Sequence, residues 1–175
     1  AAYNFGDLAK PQIFNPRWLQ AGRIVRTQEG VIANPPRGKD GKTILEGKEI
    51  AVLVNKAKKI RVGKGFIYLG DSDFGFAEND SFQRGFQDRD TFAEGGLARI
   101  LEHSEGIAPN LRTIAYLDQY QSCLKNNVGV YPFEPSNGPI EKVVVFSSGG
   151  AGAEFLSVTD WNHNLHCCAF GGLVS

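Results

Sequence analysis

Methionine is absent from this chain, cysteine is limited to three residues, and no apolar stretch is long. Each absence excludes something. Without methionine, Ala1 is not an unprocessed initiator, so a processed N-terminus is expected. The opening Ala1-Ala2-Tyr3-Asn4-Phe5 offers neither the basic nor the apolar region of a secretory signal. No run approaches the roughly 18 apolar residues of a membrane span, so none is expected. Cys123, Cys167 and Cys168 are odd in number and two are adjacent, an arrangement in which neighbours bridge only with strain. A disulfide scaffold is therefore not expected, although one bridge from Cys123 to the pair stays open. A reducing intracellular compartment, cytoplasm or organelle, is the better match.

Net charge is also missing, but its zero conceals a dipole. Residues 1–64 carry 13 Lys/Arg against five Asp/Glu, and residues 65–175 carry six against 14. The halves are thus +8 and −8. Such a split suits an acidic partner, head-to-tail contact between copies, or two halves that neutralise each other.

What is present in excess is glycine, 21 of 175 residues against about 7% in average usage, joined by eight prolines. Hydrophobic residues at 42% and charged residues at 22% are ordinary for a globular chain. Wholesale disorder and fibrous repeats are excluded, and a turn-rich fold is indicated. We expect one α+β domain over 15–175, with an antiparallel or mixed sheet and two to three helices, preceded by an extended arm over 1–14.

Local signals place the elements. Asn15 as cap, Pro16 at the first helical position and Phe14 stapling onto Leu19 predict a short helix ended by Gly22. Residues 23–33 read as strand and 34–42 as a loop. Residues 49–54 and 58–69 read as a strand pair joined at Asn55-Lys56-Ala57. The 70–90 segment is an irregular mixture of glycine, acid and phenylalanine. Thr91 and Glu94 fit a capping box opening a helix through Leu101, weakened by Gly95-Gly96. Leu111, Ile114, Leu117 and Leu124 give an apolar face to a helix over 110–125. Residues 128–133 and 141–147 return to strand, the second apolar enough to be a buried central one. One or two short strands follow in 153–175.

Several constellations resemble chemistry. His163, His166, Cys167 and Cys168, preceded by Asp160, are metal-ligand types on a short stretch, but a structural zinc site uses two spaced pairs and the second is missing. Only Cys123 and His103 could complete it. Cys123 with His103, or Cys167 with His163, would need a base in reach and a third group to orient it. Ser147 to Gly152 follows a strand as phosphate-cradling loops do, yet no helix, second strand and acid follow at the required spacing. Asp71, Asp73, Glu78 and Asp80 lack calcium-loop spacing. Lys56, Lys58, Lys59, Arg61 and Lys64, next to Phe66 and Tyr68, form a basic patch of the kind nucleic-acid-binding sheets carry. The neutral overall charge and the acidic segment that follows oppose a phosphate track there.

No catalytic set is complete and no cofactor is required. The aromatic arm and the charge split point instead to a surface for other protein subunits, acidic ones among them. We therefore expect a non-catalytic structural, linker or accessory subunit of a larger assembly, such as a pigment–protein complex or a particle shell. Tyr3, Phe5, Phe14, Trp18, Phe74 and Phe76 are its candidate partner contacts. The second expectation is a small metal- or thiol-dependent enzyme using residues 160–168. The third is a nucleic-acid-binding module using residues 56–64. The ranking of the first two has a direct check. Elemental analysis of the purified chain should find no stoichiometric metal, and about one zinc or copper per chain, lost in His163→Ala or Cys167→Ala, would reverse it.

Overall fold

A computed structural model describes residues 18–38, 40–41, 47–56, 58–70, 74–103, 127–147 and 155–161. The arm expected over 1–14 and the helix expected over 110–125 lie outside them. The described residues build a mixed α+β fold around one nine-stranded sheet. Its strands are β1 (Trp18–Arg26), β2 (Gly30–Ala33), β3 (Lys58–Val62), β4 (Gly65–Leu69), β5 (Gly75–Glu78), β6 (Gly85–Asp88), β7 (Asn127–Tyr131), β8 (Ile140–Ser147) and β9 (Phe155–Trp161). Three helices join them: α1 (Gly47–Lys56), α2 (Arg89–Glu94) and α3 (Gly96–His103). A 3-10 turn spans Asn79–Ser81.

The strand order is β3-β4-β5-β2-β1-β8-β9-β7-β6. Every pairing is antiparallel except β7 with β9. The first five strands of the chain form one half of the sheet and the last four the other, joined where β1 runs against β8. Val143, Val144 and Val145 are all buried, so β8 is covered on both faces, as its continuous apolar run predicts.

Where local signals and the structure differ, long-range pairing decides. The helix predicted to start after Asn15 is absent from 18 onward, because Trp18 to Arg26 is ladder-paired along β8 from Ser147 back to Ile140. Gly22 stops no helix. It lies at a register shift, where Gln20 faces Val145 and Gly22 faces Val144, so Ala21 is a bulge. The strand predicted over 49–54 is instead helical, within α1. A six-residue apolar run carries no period long enough to separate strand from buried helix. Here Leu53 and Val54 face the core while Val52 is exposed, and Glu49 and Lys56 sit at the helix ends that favour their charges.

Three further boundaries move. Residues 23–33 are the end of β1 and all of β2, separated by a turn in which the Thr27 hydroxyl accepts from the Glu29 and Gly30 amides. Residues 58–69 are two strands, because Gly63 takes a φ of 57° and lets the chain reverse. The 70–90 segment contributes two strands rather than irregular loop. Asp88, not Thr91, caps α2, its carboxylate accepting from the Thr91 amide at 2.8 Å and the Thr91 hydroxyl at 2.8 Å. These bonds hold the Asp88 carboxyl below its usual range.

The core has two faces. On one, Ile24, Val31, Ile67, Ala77, Val128, Val144 and Val158 of the sheet meet Phe92, Leu97, Ile100 and Leu101 of α2 and α3. The approach is close: a Cβ on Gly75 would lie 2.9 Å from the Ile100 Cβ, so only glycine lets α3 settle on β5. On the other face Val25, Ile32, Tyr68, Phe74 and Phe76 pack with Phe66, Leu53 and Val54. Ile100 is fully buried, and Ile100→Ala should cost about 2–5 kcal/mol of unfolding free energy. Chemical denaturation measures this, and a loss below about half a kcal/mol would mean that the helix does not rest on this contact.

Candidate functional site

The edges of the sheet are built from opposite chemistry. The β3 edge is basic. Lys56, at the end of α1, and Lys58, Lys59, Arg61 and Lys64 are all exposed, so the structure brings the predicted basic patch together along one edge. Alternation puts Lys59 and Arg61 on the same face as their β4 partners Tyr68 and Phe66. The Lys59 Nζ lies 5.4 Å from the Tyr68 ring centre, and the Arg61 guanidinium 5.3 Å from that of Phe66. Each cation is drawn to the negative face of its ring. The rings are therefore covered by the chain's own cations and core. Tyr68 is only 8% exposed, and its hydroxyl donates to Glu78 at 3.2 Å. Burial first, and then the Glu78 charge, push that phenol above its usual pKa. A platform for stacking bases needs open ring faces, and these are not open.

The β6 edge is aromatic and acidic. Phe86 is 56% exposed and packs edge-to-face on Tyr131 of β7, with ring centres 5.8 Å apart. Register places both on the face that also carries Asp88, opposite the side covered by α2 and α3. Asp88, Asp90 and Glu94 are exposed beside them. Sequence reasoning missed Phe86 and Tyr131 because nothing local separates them from buried aromatics; only the register shows their outward side.

The predicted partner contacts fare differently. Phe74 and Phe76 are 6% and 5% exposed and belong to the core under α1. Their rings are occupied inside the chain. Trp18 opens β1, and Tyr3, Phe5 and Phe14 lie outside the described residues. So do His163, His166, Cys167, Cys168 and Cys123. His103 ends α3 with its Nε2 3.2 Å from the Gly70 carbonyl. Among the described residues, no group of three or more His, Cys, Asp or Glu could hold a metal.

Asp160, which precedes the His/Cys cluster, has its own partner. Its Oδ2 is 2.9 Å from the Arg26 Nε, and the carboxylate side chain is 1% exposed. The contact spans from β9 to β1 across β8. It is a meeting of charges rather than an aligned hydrogen bond, since neither Arg26 Nε nor the Asp160 oxygens have a bond of good geometry. Burial raises the Asp160 pKa, and the opposing pull of Arg26, the Phe133 amide and Lys142 does not cancel it. The loop following β7 is tied to β1 by Ser136, whose amide donates to Thr27 O at 3.3 Å and whose hydroxyl lies 2.6 Å from Gly138 O and 3.1 Å from Arg26 O.

An open cleft of about 560 Å³ lies between the Gly63–Lys64 turn, the 3-10 turn and α2. Several of its polar groups are bonded within the chain. Arg84 donates from Nε to Phe133 O at 2.9 Å and from Nη2 to Asn79 Oδ1 at 2.7 Å, and stacks 4.8 Å from the Phe82 ring centre. The Ser81 hydroxyl donates to Glu78 O at 2.6 Å, which leaves it no base to activate it. The Thr91 hydroxyl at the cleft donates to Asp88, the carboxylate that caps α2.

Taken together, these features define a sheet that, among the described residues, ends in a basic strand at β3 and an aromatic, acidic one at β6. No family model, curated protein or solved structure matches the chain. Among the described residues, no helix is long and apolar enough to cross a membrane.

The Asp160 environment carries a pH prediction. A carboxyl whose folded pKa is raised adds stability below its unfolded pKa of 3.8, and that stability is lost as pH rises through the folded value. Wild type should therefore gain stability relative to Asp160→Asn as pH falls towards 3.8. Denaturant titrations of both proteins between pH 3.5 and about 7 measure the difference, and the opposite slope would mean that Arg26 outweighs burial.

Proposed function

We propose that this protein is a non-catalytic structural or accessory subunit that works by binding other protein chains. The observation that carries the reading is the outward pair Phe86–Tyr131 on the β6–β7 rim. Two large rings are held against each other at 56% and 38% exposure, beside exposed carboxylates and a strand that ends the sheet among the described residues. Apolar aromatics held rigid and wet are what interfaces use as anchors, because burying them on a partner costs little side-chain entropy. The engagement of Ser81, Thr91 and Arg84 within the chain favours this over an enzyme that uses the cleft. The cation-covered rings of Phe66 and Tyr68 favour it over a nucleic-acid module.

The mass of the complex purified gently from its native source tests this. It should exceed the 19.1 kDa of one chain and contain other chains at fixed stoichiometry. In Phe86→Ala with Tyr131→Ala that complex should dissociate at least tenfold more readily, since two anchors each contribute about a kcal/mol or more. A native species of single-chain mass would overturn the reading.

A further inference from the structure

Resting on that reading, we infer that one partner is a second copy of this chain, added head to tail so that β3 of one copy pairs antiparallel with β6 of the next. Both strands are edges of the sheet among the described residues, and they match in length at five and four residues. Strand directions agree. Counting across the order from β3, with only the β7–β9 pair parallel, β6 points opposite to β3. Placed edge to edge, β6 of one copy and β3 of the next therefore run antiparallel. In that pairing the corresponding faces of the two strands lie on the same side. Lys59 and Arg61 lie on the α1 face of β3, and Phe86 and Asp88 lie on the corresponding face of β6. In both strands the two residues are spaced by two, so they come into register as pairs. Asp88 meets Lys59, and Arg61 meets the exposed Phe86 ring.

Charge chooses this arrangement over the symmetric ones. Pairing β3 with β3 would set Lys58, Lys59 and Arg61 against themselves, and like charges directly opposite destabilise a ladder. Pairing β6 with β6 would crowd Asp88 and the neighbouring Asp90 and Glu94. Only the mixed pairing joins cations to carboxylates and an aromatic ring. A head-to-tail contact is heterologous and open, so it extends beyond a dimer. Lysines on an edge strand usually prevent pairing. Here they would prevent it with every edge except an acidic one.

The test uses the isolated full chain in sedimentation velocity at about 20 mM and 500 mM salt, where screening lengths differ several-fold. Wild type at low salt should pass dimer mass as concentration rises, and should return towards monomer at high salt. Lys59→Glu with Arg61→Glu should stay monomeric. So should Phe86→Lys with Asp88→Asn, in which Asn still caps α2. Circular dichroism and the unfolding midpoint confirm that both variants remain folded. Mixed in equal amounts, the two variants should assemble again, because each now presents to the other the charges it lacks. Wild type that stays monomeric at low salt, assembly untouched by either variant, or a mixture that remains monomeric would each overturn the inference. A monomeric wild type whose native complex still contains other chains leaves the accessory-subunit reading standing and removes only this one. A native species of single-chain mass removes both.

Discussion

The pairing of β1 with β8 is the contact on which the rest of the sheet depends. It runs from Trp18 to Arg26 against Ser147 to Ile140, and it is the only ladder joining the strands before residue 79 to those after residue 84 among the described residues. Its side chains serve both cores. Ile24 and Val144 face α2 and α3, while Val25 lies on the face covered by α1. Breaking this seam would separate two half-sheets, neither of which has a second layer broad enough to keep its apolar face dry. The Arg26–Asp160 contact crosses the same seam from β1 to β9. Buried ion pairs are costly to form and costlier to leave half-formed, so this one marks where the halves must sit more than it strengthens them.

Because the chain fills one half-sheet before the other, its basic β3 and its acidic β6 come to lie at opposite ends of the strand order. The basic 1–64 segment includes β3, and the acidic remainder includes β6. At the seam the two charge populations meet, in the Arg23–Glu141 and Arg26–Asp160 contacts. On β3 and β6 each sign is exposed. The edge position matters as much as the sign, since a strand edge combines side-chain charge with backbone groups that have no ladder partner.

The parts of this fold visible from sequence are those in which local pattern and tertiary environment agree. The valine run of β8 reads as central because both of its faces are buried. The described part of the loop at 34–42 reads correctly because Asn34, two prolines and Arg37, Gly38, Asp40 and Gly41 have few other uses. Legibility fails where a short segment obeys a distant partner. Asn15-Pro16 is a sound helix signal, but the ladder to β8 outweighs it from Trp18 onward. Glu49 to Val54 looks like strand until Leu53 and Val54 are seen packing together on one helix face. The site divides the same way. The basic patch was readable as composition, and its restriction to one edge follows from the Gly63 turn. The solvent side of Phe86 depends on register with β7, which no local pattern contains.

The aromatics show why burial cannot be assigned by residue type. Phe74 and Phe76 were as plausible on a surface as Phe86, being set among glycine and acid in the same segment. Their fates diverge through the strand each joins. Phe76 faces Tyr68 across β4, with ring centres 5.2 Å apart, in a layer that α1 closes. Phe86 stands on the corresponding face of the opposite edge, at the far side of the seam from β2 and β5, where α1 has its contacts. What covers a ring is thus fixed by its distance from a helix in the strand order. That distance also separates buried side chains from exposed ones. The strands between the two ends carry most of the core, and exposed charge and an exposed ring stand outward on β3 and β6, away from the packing that holds the halves together.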